Sequence, residues 1–176
     1  MYNRPQSEYK VVSISKSDFS VSNARATETG FVLNAIISNV QEKDFSDRPF
    51  GKEYLELVDQ RHEGKITEEE YDKKINELTS SEEYIKAVKE YQRENEIIRT
   101  SFIHFDENEE KDINKITHMT NSRGEKFESS SASTVNLGNN KFEFTGRFGL
   151  TKDDATNKLT ITLIYYGEPV YIELEK

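Results

Sequence analysis

Residues 158–175, KLTITLIYYGEPVYIELE, decide the fold. Leu159, Ile161, Leu163 and Tyr165 recur at every second position, the period of a strand, and Val170, Ile172 and Leu174 resume it beyond Gly167. With Gly167-Glu168 as a two-residue turn, glycine first, Tyr165 faces Val170, Leu163 faces Ile172 and Ile161 faces Leu174. All three pairs are apolar and share a face. A slip of one residue would turn that set to water, so pattern and turn specify the register independently. Pro169 has no N–H for a ladder and belongs at a strand start or an edge.

The rest of the chain reads as cover for this hairpin. Tyr9 to Val21 mixes β-branched residues with serine and predicts a strand broken near Lys16-Ser17. After Gly30, Phe31, Leu33, Ala35 and Ile37 alternate, with Val32 and Ile36 apolar on the opposite face, which predicts a central strand. The strand pattern returns at Ile97 as IIRTSFIHF and again at Ile116–Thr120 and Glu125–Phe127, around an Asn121–Gly124 turn. Ser129 to Thr134 reads as a polar connection. Phe142, Phe144, Phe148 and Leu150 then alternate around Gly146, where the missing side chain marks a bulge or a close neighbour.

Between these strands the period becomes helical. Tyr54, Leu57, Val58 and Arg61 mark one face, closed by Gly64 as a C-terminal cap. Thr67 and Glu70 have capping-box spacing, with Ile66 and Tyr71 placed as a hydrophobic staple, and Ser80 and Glu83 repeat the box before Tyr84, Val88 and Tyr91. The prediction is therefore a mainly β chain: one antiparallel, immunoglobulin-like β-sandwich over residues 1–176, carrying an inserted helical subdomain of two to three helices at 50–98. Its expected core is Phe31, Leu33, Ile37, Phe102, Phe142, Phe144, Leu159, Ile161, Leu163, Ile172 and Leu174.

Composition narrows the function classes. The chain has 176 residues, 32% of them charged, a net charge of −9, and ten Phe with nine Tyr. That is polar but aromatic enough to fold. Phosphate neutralisation needs clustered Lys and Arg, which are not found, so nucleic acid is excluded as a partner. There is no cysteine, hence no disulfide, thiolate metal site or cysteine nucleophile. No stretch approaches the roughly 18 apolar residues of a membrane span, and MYNRPQSEYK has no apolar signal region. Residues 50–98 hold 14 acidic and 8 basic side chains, so this piece carries −6 of the −9.

The order of pieces in the second half carries a resemblance. Met119-Thr120-Asn121-Ser122-Arg123-Gly124-Glu125-Lys126-Phe127, Phe142-Glu143-Phe144, the turn through Asp154 and Asn157 into Lys158-Leu159-Thr160-Ile161, and Tyr171-Ile172-Glu173-Leu174 resemble the immunoglobulin-like ectodomains of Gram-positive lipoproteins and anti-sigma factors. FVLNAIISN is similar to their early strand. The resemblance covers about two thirds of the chain and implies a fold and a location outside the cytoplasmic membrane, extracellular or on the cell surface with leader or anchor removed; the alternative is cytoplasmic. The chain lacks the lipobox cysteine, and the helical insertion replaces the usual short connection. Within that insertion, residues 63–71, EGKITEEEY, with Lys73, Lys74 and Leu78, are similar to the short helical-hairpin (SHOCT) segments of bacterial proteins.

Chemistry is sparse. His62, His104 and His118 lack the i, i+4 spacing of a helical zinc site, and Asp106, Glu107, Glu109, Glu110 and Asp112 lack the glycine and terminal spacing of an EF-hand. No Gly-x-Ser-x-Gly elbow, Ser-x-x-Lys motif or glycine-rich phosphate loop occurs. No catalytic, metal or cofactor residue is therefore expected. The expected function is a non-catalytic binding or structural module with a protein partner, met through the acidic insertion at Glu68, Glu69, Tyr71 and Tyr84. For the tyrosines the competing reading is a stripe that packs helix on helix. Two alternatives stand beside that function: a structural or host-directed protein of a phage or mobile element, and a metal-assisted enzyme whose site assembles only in the fold.

Overall fold

The computed structural model describes residues 7–176. The chain divides into two compact units. One is β-rich and comprises the chain up to Gln41 with Glu96–Ile103 and Asn108–Lys176; the other is Glu42–Asn95 with His104–Glu107. No helix among the described residues is long and apolar enough to cross a membrane.

The β unit holds β1 (Ser7–Glu8), β2 (Lys10–Ile14), β3 (Phe19–Ala26), β4 (Phe31–Ile37), β5 (Ile98–Arg99), β6 (His118–Asn121), β7 (Lys126–Gly138), β8 (Lys141–Phe148), β9 (Lys158–Tyr165) and β10 (Glu168–Glu175). They pair antiparallel in the order β1-β3-β4-β8-β7-β6-β9-β10-β2, with the short β5 also on β9. Only Tyr9 separates the strands at the two ends of that path, so the sheet curls almost to a barrel. The predicted antiparallel β domain with inserted helices is observed at that level. Its strands, however, follow one near-closed path instead of two separate sheets, because β7 turns the corner: Lys126, Phe127 and Glu128 pair with β6, and Ser129 onward pairs with β8.

The closing hairpin differs from its predicted register by two residues. Tyr165 pairs with Glu168, Leu163 with Val170, Ile161 with Ile172 and Leu159 with Leu174. The turn is Tyr166-Gly167, with φ of 46° and 81°, the pair of positive values of a type I′ turn. Tyrosine is an unusual occupant there, and local bonds hold it. Its N–H is shared between the carbonyls of Glu96 and Ile97 at 3.2 Å, and its hydroxyl donates to the Gln41 carbonyl at 3.1 Å. An even shift preserves the face of every side chain, so the apolar set still points inward.

Ten of the eleven expected core residues are buried, among them Phe31, Leu33, Phe144, Ile161, Leu163 and Ile172. Phe102 is the exception and is only half-buried. The strand predicted from Ile97 through Phe105 ends at Arg99. Alternation there would place Arg99 and Ser101 with Ile97 and Ile103, and Thr100 and His104 with Ile98 and Phe102, so neither face is apolar throughout. The opposite correction applies to Ser129–Thr134. This stretch belongs to the 13-residue strand β7, whose residues from Ser130 to Gly138 are exposed on both faces. The β8 ladder specifies the strand, and with nothing buried no period-two pattern is needed.

The helical unit contains α1 (Gly51–His62), α2 (Glu68–Thr79) and α3 (Glu82–Asn95). Gly64, at φ 72°, ends α1, while Lys65 N–H reaches the Gln60 carbonyl at 2.9 Å and Gly64 N–H the Arg61 carbonyl at 3.2 Å, the two bonds of a Schellman motif. Thr67 Oγ1 accepts from Glu70 N–H at 3.1 Å, as the capping-box spacing predicts. The third helix is capped one residue later than expected: Ser81 Oγ, not Ser80, accepts from Tyr84 N–H at 3.2 Å. Ser80 instead donates to the Asn76 carbonyl at 2.5 Å and finishes α2.

Candidate functional site

Two features have the make-up of a binding surface, one in each unit. In the helical unit, Glu68 and Glu69 are exposed in the first turn of α2. Tyr71 is only 8% exposed, and the Arg61 guanidinium lies 4.2 Å from its ring centroid. Tyr84 is half-buried, 5.7 Å from the Phe50 ring. The tyrosines therefore pack the unit and the carboxylates face water. The same division runs through the whole unit. Lys43 lies over Tyr91 at 5.5 Å, Arg48 over Phe45 at 5.1 Å and Arg93 over Phe105 at 5.5 Å. Glu53, Glu56, Asp59, Glu69, Glu82 and Glu83 are exposed beside Lys52, Lys65, Lys73, Lys74 and Lys86, so the outward surface carries both signs with acid in excess.

In the β unit, a hollow of about 350 Å³ opens on the outer face of β6, β9 and β10. Its floor is built by strand alternation. Leu163 and Ile161 enter the core, so Thr162 and Ile164 point outward, and cross-strand pairing aligns His118 with Thr162, Thr162 with Tyr171, and Ile164 with Pro169. Arg99 joins through β5, which pairs with β9 at Ile164. The wall is Asn114 and Lys115, from a 3₁₀ turn at Ile113–Lys115 in which Asp112 caps the Asn114 N–H at 2.9 Å.

Local bonds hold these groups in place. Arg99 is 9% exposed; its carbonyl accepts from Thr117 N–H at 2.8 Å, and its Nε lies 3.8 Å from Glu96 Oε2. Burial pushes the Glu96 carboxyl pKa up, against the pull of the Arg99 charge. His118, 4% exposed, has Nδ1 at 2.8 Å from the Ile116 carbonyl. A carbonyl only accepts, so Nδ1 carries the proton and the neutral ring's acceptor is Nε2. Lys126 Nζ donates to Asn114 Oδ1 at 2.6 Å, so the amide's remaining donors are on Nδ2. Arg99, Lys115, Asn114, Thr162 and Tyr171 bring donors, and no Asp or Glu among the described residues lines the hollow.

The three histidines stay dispersed: His62 is exposed on α1, His104 half-buried in the helical unit and His118 buried on β6. No group of three or more His, Cys, Asp or Glu among the described residues converges to hold a metal. In the acidic stretch, Asp112 serves as the cap just described and Asp106, Glu107 and Glu110 are exposed. Sequence reading passed over Arg99 and weighed His118 only as a metal ligand. Each is a polar residue inside an apolar strand-like run, IIRTSF and ITHMT, and that interruption is the signal that points to them.

No protein-family model matches the chain, and neither a curated protein nor a solved structure is significantly similar to it.

Proposed function

We propose that the chain is a non-catalytic binding module whose acidic helical insertion is its protein-interaction surface. In this reading it is displayed outside the cytoplasmic membrane, as a domain of a bacterial lipoprotein or membrane-anchored protein. One observation carries the proposal: the helical unit turns Lys43, Arg48, Arg61 and Arg93 onto its own aromatic rings while Glu68, Glu69 and their acidic neighbours stand in water. A surface with acid in excess favours a basic partner over an acidic one. The location, and kinship with immunoglobulin-like ectodomains, are supported by the sequence resemblance and by the antiparallel strands around a shared apolar core.

The insertion is built as an addition. The Gln41 carbonyl accepts from the Tyr166 hydroxyl and the Glu96 carbonyl from the Tyr166 N–H, so the chain departs and returns beside a single turn residue. The test reverses the charge of the full-length protein at Glu68→Lys and Glu69→Lys, both exposed in the first turn of α2, with Glu69→Lys alone as the control because Glu68 Oε1 lies 3.9 Å from the Arg61 Nε. Bait protein on beads is incubated with an envelope extract. Loss of the wild-type partner in the charge-reversed bait, together with release of that partner by salt, supports the reading. Retention of every partner refutes it, and fractionation of whole cells tests the location separately.

A further inference from the structure

We propose that the free edge of β7, from Ser131 to Asn136, is a self-association surface on which a second copy of this chain lays its own β7 antiparallel, joining two β units into one continuous sheet. The proposal goes beyond the reading of the acidic insertion and does not depend on it.

The backbone is the first ground. β7 pairs with β6 only through Lys126, Phe127 and Glu128, and from Ser129 onward its partner is β8. Among the described residues, no strand pairs with the opposite edge of that later stretch. An antiparallel strand turns the N–H and C=O of alternate residues to each side, so this edge shows a row of donors and acceptors. Bulges lie between Ser129 and Ser131 and between Asn136 and Gly138, and from Ser131 to Asn136 the pairing on β8 is regular. The edge is also held in place. Along its other side β8 pairs with β4, and the hairpin tip is tied where the Val40 N–H donates to the Asn140 carbonyl at 2.9 Å. A template fixed beforehand loses little freedom on pairing.

Composition is the second ground, and it selects the occupant. Solvent-facing edge strands are ordinarily protected by charged side chains or proline. Residues 129–140, SSSASTVNLGNN, hold neither, in a chain that is 32% charged. The other uncharged stretch of such length, residues 29–41, contains the buried strand β4, whereas Ser130 to Gly138 are exposed and burial gives no reason for their neutrality. A partner recognised by charge finds nothing here to read. A second copy needs none, because a strand paired antiparallel with itself presents the same patch from both sides of a twofold axis. Two chains of net charge −9 also repel least where they meet at a neutral stretch. With the axis perpendicular to the sheet at Thr134, Ser133 lies opposite Val135 of the second copy, Ala132 lies opposite its Asn136, and the two threonines face each other as a hydrogen-bonding pair. Val135 and Leu137, 55% and 50% exposed, add apolar contact. One strand's length buries less than a standard interface, so the association is weak and depends on concentration.

The test follows the mass of the full-length protein by sedimentation from about 10 μM to about 1 mM, the range in which weak complexes form. The expected result is a doubling of mass, with alternate backbone amides between Ser131 and Asn136 gaining protection from hydrogen exchange as the dimer fills. Thr134→Lys, at an exposed position, should stay monomeric throughout because like charges then face each other across the axis, and Thr134→Glu should do the same. An equimolar mixture of the two variants should restore the dimer, which a loss of fold in either would not allow. A wild-type mass that never rises overturns the proposal, as does a dimer whose β7 amides stay unprotected, one that Thr134→Lys leaves undiminished, or a mixture that remains monomeric. Protection of β7 by a co-purified peptide, without doubling of mass, overturns it in favour of a foreign strand.

Discussion

The ring of Phe144 fills the space where a side chain at position 146 would begin. A Cβ on Gly146 would stand 2.7 Å from Phe144 Cε1, 2.8 Å from Cζ and 3.3 Å from Phe148 Cε2. Both rings are buried, so they have no free volume into which to swing. Gly146→Ala should therefore destabilise the protein by about 1–3 kcal/mol, the usual cost of overpacking. Urea melts at constant m-value measure it; a neutral or stabilising result would show that the Phe144 ring can move aside.

Leu163 is fully buried and pairs with Val170 across the closing hairpin. Removing its branched end leaves a cavity among residues of both hairpin strands, so Leu163→Ala should cost about 2–5 kcal/mol. A loss below about 0.5 kcal/mol, the scale of a surface substitution, would place Leu163 outside the core.

The Asn121–Glu125 turn makes a pH prediction. The Arg123 guanidinium donates to Glu125 Oε1 at 2.6 Å and the Asn121 amide at 3.1 Å, and these hydrogen bonds, that of Arg123 first, hold the Glu125 carboxyl pKa below its ordinary value. A carboxylate whose folded pKa is depressed stabilises the fold above its unfolded pKa of about 4.3, and that stabilisation fades as pH falls through the lower folded value. The group is exposed, so the signature is a titration rather than a large change in melting. Carbon-detected NMR should place the Glu125 midpoint below the ordinary glutamate value of about 4.3, and Arg123→Gln should raise it.

Thr67→Ala removes the side chain that accepts from Glu70 N–H at the start of α2. Loss of such a cap costs about 1 kcal/mol. Hydrogen exchange should report the change locally, with faster exchange in Glu69–Tyr71 and no change in β9. An effect spread evenly over both units would mean that α2 opens only with the whole protein.

Much of the fold was legible from sequence because burial writes a period. Leu159, Ile161 and Leu163 announce β9, and Phe142, Phe144 and Phe148 announce β8, since each alternate residue must leave water. Thr67 and Gly64 announce helix ends because only a few residue types satisfy the orphan backbone groups there. Where burial is uniform the period vanishes. β7 from Ser130 onward is exposed throughout, and Ser129–Thr134 within it was read as a connection, although it pairs with β8 as far as Gly138, with bulges between Ser129 and Ser131 and between Asn136 and Gly138. The two-residue error in the hairpin has a different origin. Parity is insensitive to an even shift, and the choice was made by Tyr166, whose positive φ is held by Gln41, Glu96 and Ile97, residues distant in sequence. For the same reason the outer hollow was hidden: Arg99, His118 and Tyr171 meet only through the pairing of four strands.

The antiparallel ladder between β2 and β10 sets the timing of assembly. Ile14 lies beside Ile172 and Val11 beside Leu174, so β2 waits for a strand synthesised more than 150 residues later before either edge is covered. Until β10 emerges from the ribosome, Val11 and Val12 have no ladder to join, whereas the helical insertion, whose caps and turns are local in sequence, can form as soon as it clears the exit tunnel. Folding dominated by such distant pairings belongs to the slow class, milliseconds to seconds in order of magnitude. Over that interval the nascent chain carries the acidic helical segment, whose caps are local in sequence, while the β unit still lacks its last strand.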